Sequence, residues 1–405
     1  MRQALDDIKV IDLTWYISGP YCTKLLADYG AEVIKIEKPG EGDPARKFPP
    51  FLNDEPHPEK SGLFLHLNTN KKSITLNLKS EEGKKIFLRL VEGVDLVVEN
   101  FSPGVMGRLG LEYPSLEKVN PRLGMVSISN FGQTGPYREF KASELVLNAM
   151  ATAMKSCGSK EREPLKMGGR VVQYQAGAMA ATAAMVGILA SKMQGIGQYI
   201  DVAISETQLG SIDRRGPLLV ASQYTGEVEG RIEVGGSQWG ACPDGIYPCK
   251  DGYCDVIGGA MWWPSIFKMM GEPEALADPR YGSWEWQTDP ERKAEILAVF
   301  LPWARERTKE EVAEAASKAR QAAAPVYTTA DLLTNPHLAA RGYFVEAEHP
   351  VAGKLKYPGP PCWPEETPWE LRRAAPLLGE HNEQIYSQLG YSKQEIGLLR
   401  AYGAI

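Results

Sequence analysis

The run Pro164-Leu-Lys-Met-Gly-Gly-Arg-Val-Val-Gln173-Tyr-Gln-Ala-Gly177 leads directly into the small-residue stretch Ala178–Ser191. A Gly-Gly turn, a short β-prone piece and a helix of Ala, Met and Thr place Gln173 at the mouth of a buried helix. Such a mouth carries unpaired N–H groups and a partial positive charge, which suit an anionic nucleophile or a bound carboxylate. A neutral amide stands there instead. A carboxamide lacks carboxylate basicity, does not titrate near neutrality and cannot form an acyl anhydride. The carboxylates nearest to it in sequence are Glu163 and Asp201. Cys157 is another conceivable nucleophile, but no histidine lies near it in sequence, and a buried structural thiol is the expectation. The six cysteines contain no C-x-x-C pair, so neither a disulfide framework nor a metal site is expected. A glycine loop, Gly235-Gly236-Ser237-Gln238, is the remaining unusual feature.

The elements that must position these residues read as an α/β protein. Ile8–Leu13 and Ala31–Glu37 are β-branched runs flanking a helical Tyr21–Tyr29, which makes a β-α-β unit with parallel strands. Ser73–Asn77, Val94–Glu99, Gly124–Ser129 and Gly197–Ile204 continue the pattern, with Ser80 capping a helix to Val91. This is an open, doubly wound sheet. No G-x-G-x-x-G follows the first strand, so a nicotinamide or flavin site is not expected. With 405 residues the chain exceeds one ordinary core, and two domains are expected. Residues 1–215 read as the N-terminal part of a large domain, 216–330 as a smaller α+β domain ending in a helix over Glu310–Ala324, and 331–405 as a Pro-rich linker and a return to the large domain. A net charge of -6 without basic clusters argues against nucleic acid. No apolar stretch reaches the ~18 residues of a membrane helix and the N-terminus has no signal core, so a cytoplasmic protein is expected.

Several long motifs coincide with these elements. Leu26-Ala-Asp-Tyr-Gly-Ala-Glu-Val-Ile-Lys-Ile-Glu37 with Gly42-Asp43, Asn68–Ile74, Val98-Glu-Asn-Phe-Ser-Pro-Gly104 to Gly110, Ser129–Tyr137, Arg341-Gly342 and Ala375–Asn382 together resemble the family III (CaiB/BaiF-type) CoA-transferases from end to end. The resemblance implies a Rossmann-like large domain, a smaller domain and two subunits threaded through each other like linked rings. It also implies chemistry: an aspartate attacks an acyl thioester to give a mixed anhydride, the released thiolate attacks that anhydride, and the enzyme thioester hands CoA to an acceptor acid.

At the matching positions, the resemblance assigns Lys38, Lys71, Lys72 and Arg108 to the phosphates of CoA, Asn100 and Phe101 to its adenine and ribose, and Lys141 to the region of the substrate carboxylate. Gly235, Gly236, Ser237 and Gln238 match the loop that closes over the intermediates, where small residues admit backbone N–H groups to an oxyanion. The nucleophile's place, four residues before Gly177, holds Gln173. Ile17 replaces a hydrogen-bonding glutamine, and Ser143 with Gln173 replaces the His and Asp pair of the racemase branch. The resemblance therefore implies a non-catalytic subunit of a heteromeric transferase. A homologous partner would supply the aspartate, and CoA would move from an acyl-CoA such as succinyl-CoA to an organic acid such as (R)-benzylsuccinate. CoA is then a substrate rather than a bound cofactor. An active homodimer using another carboxylate, an acyl-CoA isomerase or lyase, and a non-enzymatic CoA-binding scaffold stay open.

Overall fold

The computed structural model describes residues 2–151, 154, 155, 157, 158, 162–210, 215–226 and 241–405. The chain forms two compact units, one of residues 1–153, 167–226 and 339–405, the other of residues 154–166 and 227–338.

The larger unit is built on six strands: β1 (Lys9–Asp12), β2 (Glu32–Glu37), β3 (Lys72–Thr75), β4 (Leu96–Glu99), β5 (Gly124–Ser129) and β6 (Gln198–Ala203). Their order is β3-β2-β1-β4-β5-β6 and every neighbouring pair is parallel. Parallel strands are covered on both faces, which is why they read as nearly continuous apolar runs. Val97, Met125 and Ile11 face one core; Val98, Val126 and Val10 face the other. The α/β expectation holds, and all six strand stretches read from sequence are strands.

Helices of this unit are α1 (Ser18–Asp28), α2 (Gly62–Leu67), α3 (Glu81–Val91), α4 (Val105–Leu109), α5 (Tyr113–Val119), α6 (Glu144–Met150), α7 (Val171–Gln194), α8 (Ile204–Gly210) and α9 (Arg215–Thr225). Ser80 caps α3, its Oγ accepting from Gly83 N at 3.0 Å. The expected β-prone piece before Gln173 is absent: Val171 and Val172 are the first residues of α7. By length and composition α7 is apolar enough to cross a bilayer, contrary to the expectation that no stretch would be. It lies on β5 and β6 instead, burying Ala176, Ala180, Ala184 and Ile188. Its small residues have a packing cause. A Cβ on Gly177 would stand 2.5 Å from Ser18 O and 3.0 Å from Tyr21 Cβ, so only glycine lets α1 approach this closely.

In the smaller unit, β7 (Gly245–Cys249), β8 (Gly252–Val256) and β9 (Ala323–Pro325) form an antiparallel sheet in that order. Helices α10 (Trp263–Met269), α11 (Trp284–Thr288), α12 (Pro290–Arg305) and α13 (Lys309–Ala319) accompany it. The helix expected to reach Ala324 stops at Ala319. Arg320 turns left-handed with φ 58°, and the following alanines become β9, because pairing with β8 outweighs alanine's helical preference.

The stretch expected to be irregular from Thr328 contains α14 (Thr329–Thr334), α15 (Pro336–Ala340) and a hairpin of β10 (Phe344–His349) and β11 (Gly353–Pro358). The chain ends in α16 (Asn382–Gln388) and α17 (Lys393–Ala401), whose Ile385, Tyr386 and Ile396 complete the core beneath β3. They also satisfy this edge strand. Thr75 N donates to Asn382 Oδ1 at 2.9 Å, and Tyr386 Oη donates to Thr75 O at 2.5 Å.

Gly177→Ala is expected to destabilise the larger unit by about 1–3 kcal/mol through overpacking against α1. Gly397→Ala, on α17 with nothing within 4 Å of the added carbon, serves as control and is expected to be neutral or stabilising. Urea denaturation of the two variants checks the contrast.

Candidate functional site

Strand order reverses between β1 and β4, so the loops leaving these two strands diverge and open a crevice. Two cavities occupy it. One, of about 450 Å³, is lined by Trp15, Tyr16, Lys38, Asn77, Lys79 and Phe101 among others. The other, of about 760 Å³, reaches from Tyr16 and Asn100 past Lys141, Ser143 and Glu144 to Arg170 and Gln173.

The loop after β1, shared by both cavities, is fastened at each residue. Thr14 N donates to Asp12 Oδ1 at 2.8 Å, and Thr14 O accepts from Lys35 Nζ at 2.7 Å. Asn100 bridges Trp15 with two 2.8 Å bonds, Oδ1 accepting from Trp15 N and Nδ2 donating to Trp15 O. Tyr16, left-handed at φ 64°, donates its N–H to Asp43 Oδ1 at 3.1 Å.

Buried charges hold these fasteners. Lys71 pairs with Asp12 at 2.9 Å, Lys35 with Asp43 at 2.9 Å and Arg46 with Glu37 at 2.8 Å, all six side chains sealed from solvent. Burial pushes the Asp12 carboxyl up, but Lys35, Lys71 and the Thr14 and Thr23 hydroxyls outweigh it and hold the group at about 2. Burial draws Lys71 down to about 8 against the pull of Asp12.

At the other end of the crevice, Gln173 sits in the first turn of α7 and lines the larger cavity. The Arg170 guanidinium, at the cap of the same helix, lies 4.8 Å from the centroid of the Phe48 ring. Glu144, at the start of α6, accepts from Val172 N through Oε1 at 2.9 Å, while its Oε2 is buried without a hydrogen bond. A carboxylate therefore does stand at the mouth of α7. Sequence reasoning missed it because nothing local ties residue 144 to residue 172.

The remaining sequence-derived residues separate. Lys38 lines the smaller cavity, with Glu41 at 2.5 Å from its ammonium. Lys141 and Ser143 line the larger one, and Ile17 forms part of its wall. Phe101 reaches both cavities and meets Trp15 edge-on at 5.3 Å. Asn100 also borders both, with one amide hydrogen and one carbonyl lone pair committed to Trp15. Lys71 is fully buried on Asp12, Pro20 O and Asn68, so it is a structural lysine and lines neither cavity. Lys72 turns to Glu32 at the start of β2, also outside both cavities. Arg108 is exposed on α4 and lines neither. Gly235, Gly236, Ser237 and Gln238 lie outside the described residues.

The profile of CoA-transferase family III matches residues 5–382. The chain belongs to this family. It is 33% identical over 400 residues to succinyl-CoA–D-citramalate CoA-transferase of Chloroflexus aurantiacus, spanning 98% of this chain and 97% of that one. It is 34% identical to formyl-CoA:oxalate CoA-transferase of Streptomyces coelicolor, over 100% of this chain and 99% of the relative. Subunit BbsE of succinyl-CoA:(R)-benzylsuccinate CoA-transferase from Thauera aromatica is 31% identical, again over 100% and 99%. Among solved structures, a CaiB/BaiF family protein from Brucella suis superposes with a TM-score of 0.84 at 27% identity, over 96% of this chain and 100% of that one.

For a family III CoA-transferase, whose substrates are CoA thioesters and acids, the larger cavity has suitable charge. Arg138, Lys141 and Arg170 bring three cations, against the carboxylates of Glu139 and Glu144, to a space with an apolar wall of Ile17, Phe48 and Phe140. Removing the buried lysine and the rim lysine should have different consequences. Lys71→Ala leaves Asp12 buried without its partner and is expected to cost about 3–5 kcal/mol of stability. Lys38→Ala at the rim is expected to change stability by at most about 0.5 kcal/mol. Denaturant unfolding of both variants checks the split.

Proposed function

We propose that this chain is the nucleophile-lacking subunit of a heteromeric CoA-transferase, paired with a homologous chain that carries an aspartate at the place of Gln173. Together they move CoA from an acyl-CoA such as succinyl-CoA to an organic acid such as (R)-benzylsuccinate. The observation that carries this reading is the carboxamide of Gln173 at the mouth of α7, in the cavity with Lys141 and Arg170. In the partner, the aspartate carboxylate forms a bond to the thioester carbonyl carbon and the C–S bond breaks, releasing CoA thiolate. The thiolate then attacks the aspartyl carbonyl of the anhydride, freeing the donor acid and leaving CoA on the enzyme. The acceptor carboxylate attacks the aspartyl thioester and displaces the thiolate, giving a second mixed anhydride, and the thiolate then attacks the acceptor's acyl carbon and frees the aspartate. A carboxamide supplies no such nucleophile.

Two further observations support the pairing. The similar BbsE chain is itself named as a subunit. Met179, Val186, Leu189 and Met193 form an exposed apolar stripe at helical spacing along α7, which a second chain would cover.

One observation favours a second reading, an active chain. Glu144 brings a carboxylate with an unbonded oxygen to the same cavity, where it could act as the nucleophile. A discontinuous assay of CoA transfer separates the two. The chain alone is expected to show no turnover, and mixing with the homologous partner is expected to give full turnover that survives Glu144→Gln in this chain. Turnover by the chain alone that Glu144→Gln abolishes would establish the second reading.

A further inference from the structure

A third cavity, of about 480 Å³, lies at β4, β5 and β6 on the sheet face opposite α7. It shares only Ser102 and Arg138 with the larger crevice cavity. Register sets Glu99 beside Ser127 and Ser127 beside Asp201, so an acid, a hydroxyl and an acid stand in one row across three strands. Glu112 and Tyr113 approach from the start of α5, and Gln133 and Arg138 from the loop after β5.

The lining is polar and incompletely matched. Glu112 Oε2, Ser127 Oγ and Gln133 Nε2 are buried atoms without a hydrogen bond, and Ser127 is 1% exposed; Tyr113 Oη has the Glu117 carboxylate beside it. Buried polar groups normally find partners, so three unmatched ones around a single space point to a ligand. Glu99 is 3% exposed and accepts from Phe101 N at 2.7 Å. Among the described residues no Lys or Arg pairs with the buried Glu99 or the half-buried Glu112, although a buried acid ordinarily takes a counter-charge or gives up its own charge. Burial raises the Glu99 carboxyl to about 7; the neighbouring Ser127 hydroxyl and the Phe101 N–H oppose this, and the Asp201 charge adds to it. Ser127 acts by proximity, since its Oγ lacks hydrogen-bond geometry to any partner.

We propose that this cavity binds a small organic cation, a guanidinium or ammonium group that supplies the counter-charge missing from Glu99 and Glu112. The rings of Tyr113 and Tyr199, with centroids 5.9 Å apart and tilted by 40°, offer π-faces to the cation. Gln133 Nε2 takes an oxygen acceptor beside it. Arg138 lines the cavity, but its Nε is held by Glu139 Oε1 at 2.8 Å and its guanidinium pairs with neither Glu99 nor Glu112. Among the described residues no three His, Cys, Asp or Glu side chains converge as a metal site, so the cluster suits an extended cation.

The test is calorimetric titration of the full chain with arginine and with citrulline, its uncharged isostere, at pH 8 and pH 6. Arginine is expected to bind at pH 8 and citrulline not. Of the groups facing Glu99, Tyr113 and Tyr199 are held above their ordinary range by burial, Arg138 is a neighbouring guanidinium, and Asp201 and Glu112 are fellow carboxylates. Affinity for arginine should therefore fall as Glu99 takes up its proton between pH 8 and pH 6. Glu99→Gln, and independently Glu112→Gln for the case where the first variant fails to fold, are each expected to weaken arginine about tenfold or more. Equal binding of citrulline, affinity unchanged by both variants, or no arginine binding at millimolar concentration overturns the proposal. If binding disappears when the partner subunit is present and Glu99→Gln still abolishes it in the free chain, the cation is a side chain of that partner.

Discussion

The crevice depends on one constraint: each of the three buried cations behind β1, β2 and β3 must keep a buried acid as its partner. Lys35 stands between Asp12, Glu37 and Asp43, and these charges keep it protonated against the cost of burial. Arg46 extends the chain of pairs from Glu37 to Glu59, at 2.8 and 2.6 Å. Each ion is expensive to bury alone, so the set is stable only when whole. This all-or-none character carries over to the loop of Thr14, Trp15 and Tyr16, whose backbone is bonded to Asp12, Lys35, Asn100 and Asp43. The wall shared by both cavities is thus tied to buried charges that lose their partners if it shifts.

The same network explains where sequence reading succeeds and where it does not. Strands that are buried on both faces announce themselves locally, and Val94–Glu99 or Gly124–Ser129 leaves little doubt about what it will form. The cap at Ser80 is equally local, since its partner is three residues away. A lysine in a short loop gives no such information. Lys71 and Lys72 are adjacent in the chain, yet one reaches inward to Asp12 and the other to Glu32 at the start of β2. Both are expected at phosphate from the sequence; Lys71 is sealed inside, and the partly exposed Lys72 is engaged by Glu32. Asn100 was found by its motif; that it also clamps Trp15 is visible only once β1 and β4 are side by side. Glu144 escaped notice for the same reason, its partner Val172 being 28 residues away.

Long-range contacts also decide the two local structures that departed from expectation. The alanines after Ala319 favour helix individually, but β8 has an open edge and three of its residues pair with Ala323, Ala324 and Pro325. The hairpin of β10 and β11 contains few of the alternating apolar residues that mark a half-buried strand, since Glu346, Glu348, Lys354 and Lys356 occupy facing positions. Its pairing is supported by cross-strand charge, with Lys354 Nζ at 2.5 Å from Glu346 Oε2.

The mouth of α7 can now be considered as an electrostatic balance. A helix N-terminus favours one negative charge, and Glu144 already supplies it through Val172 N. An aspartate at position 173 would add a second carboxylate to the same cavity, and two carboxylates at close range raise each other's affinity for a proton. The neighbouring cations Lys141 and Arg170 would have to offset that repulsion for the nucleophile to stay ionised. With glutamine the conflict disappears, and the mouth is stable with a single charge. On the proposed reading the amide therefore does more than withhold a nucleophile: Lys141 and Arg170 have no second acid at position 173 to balance.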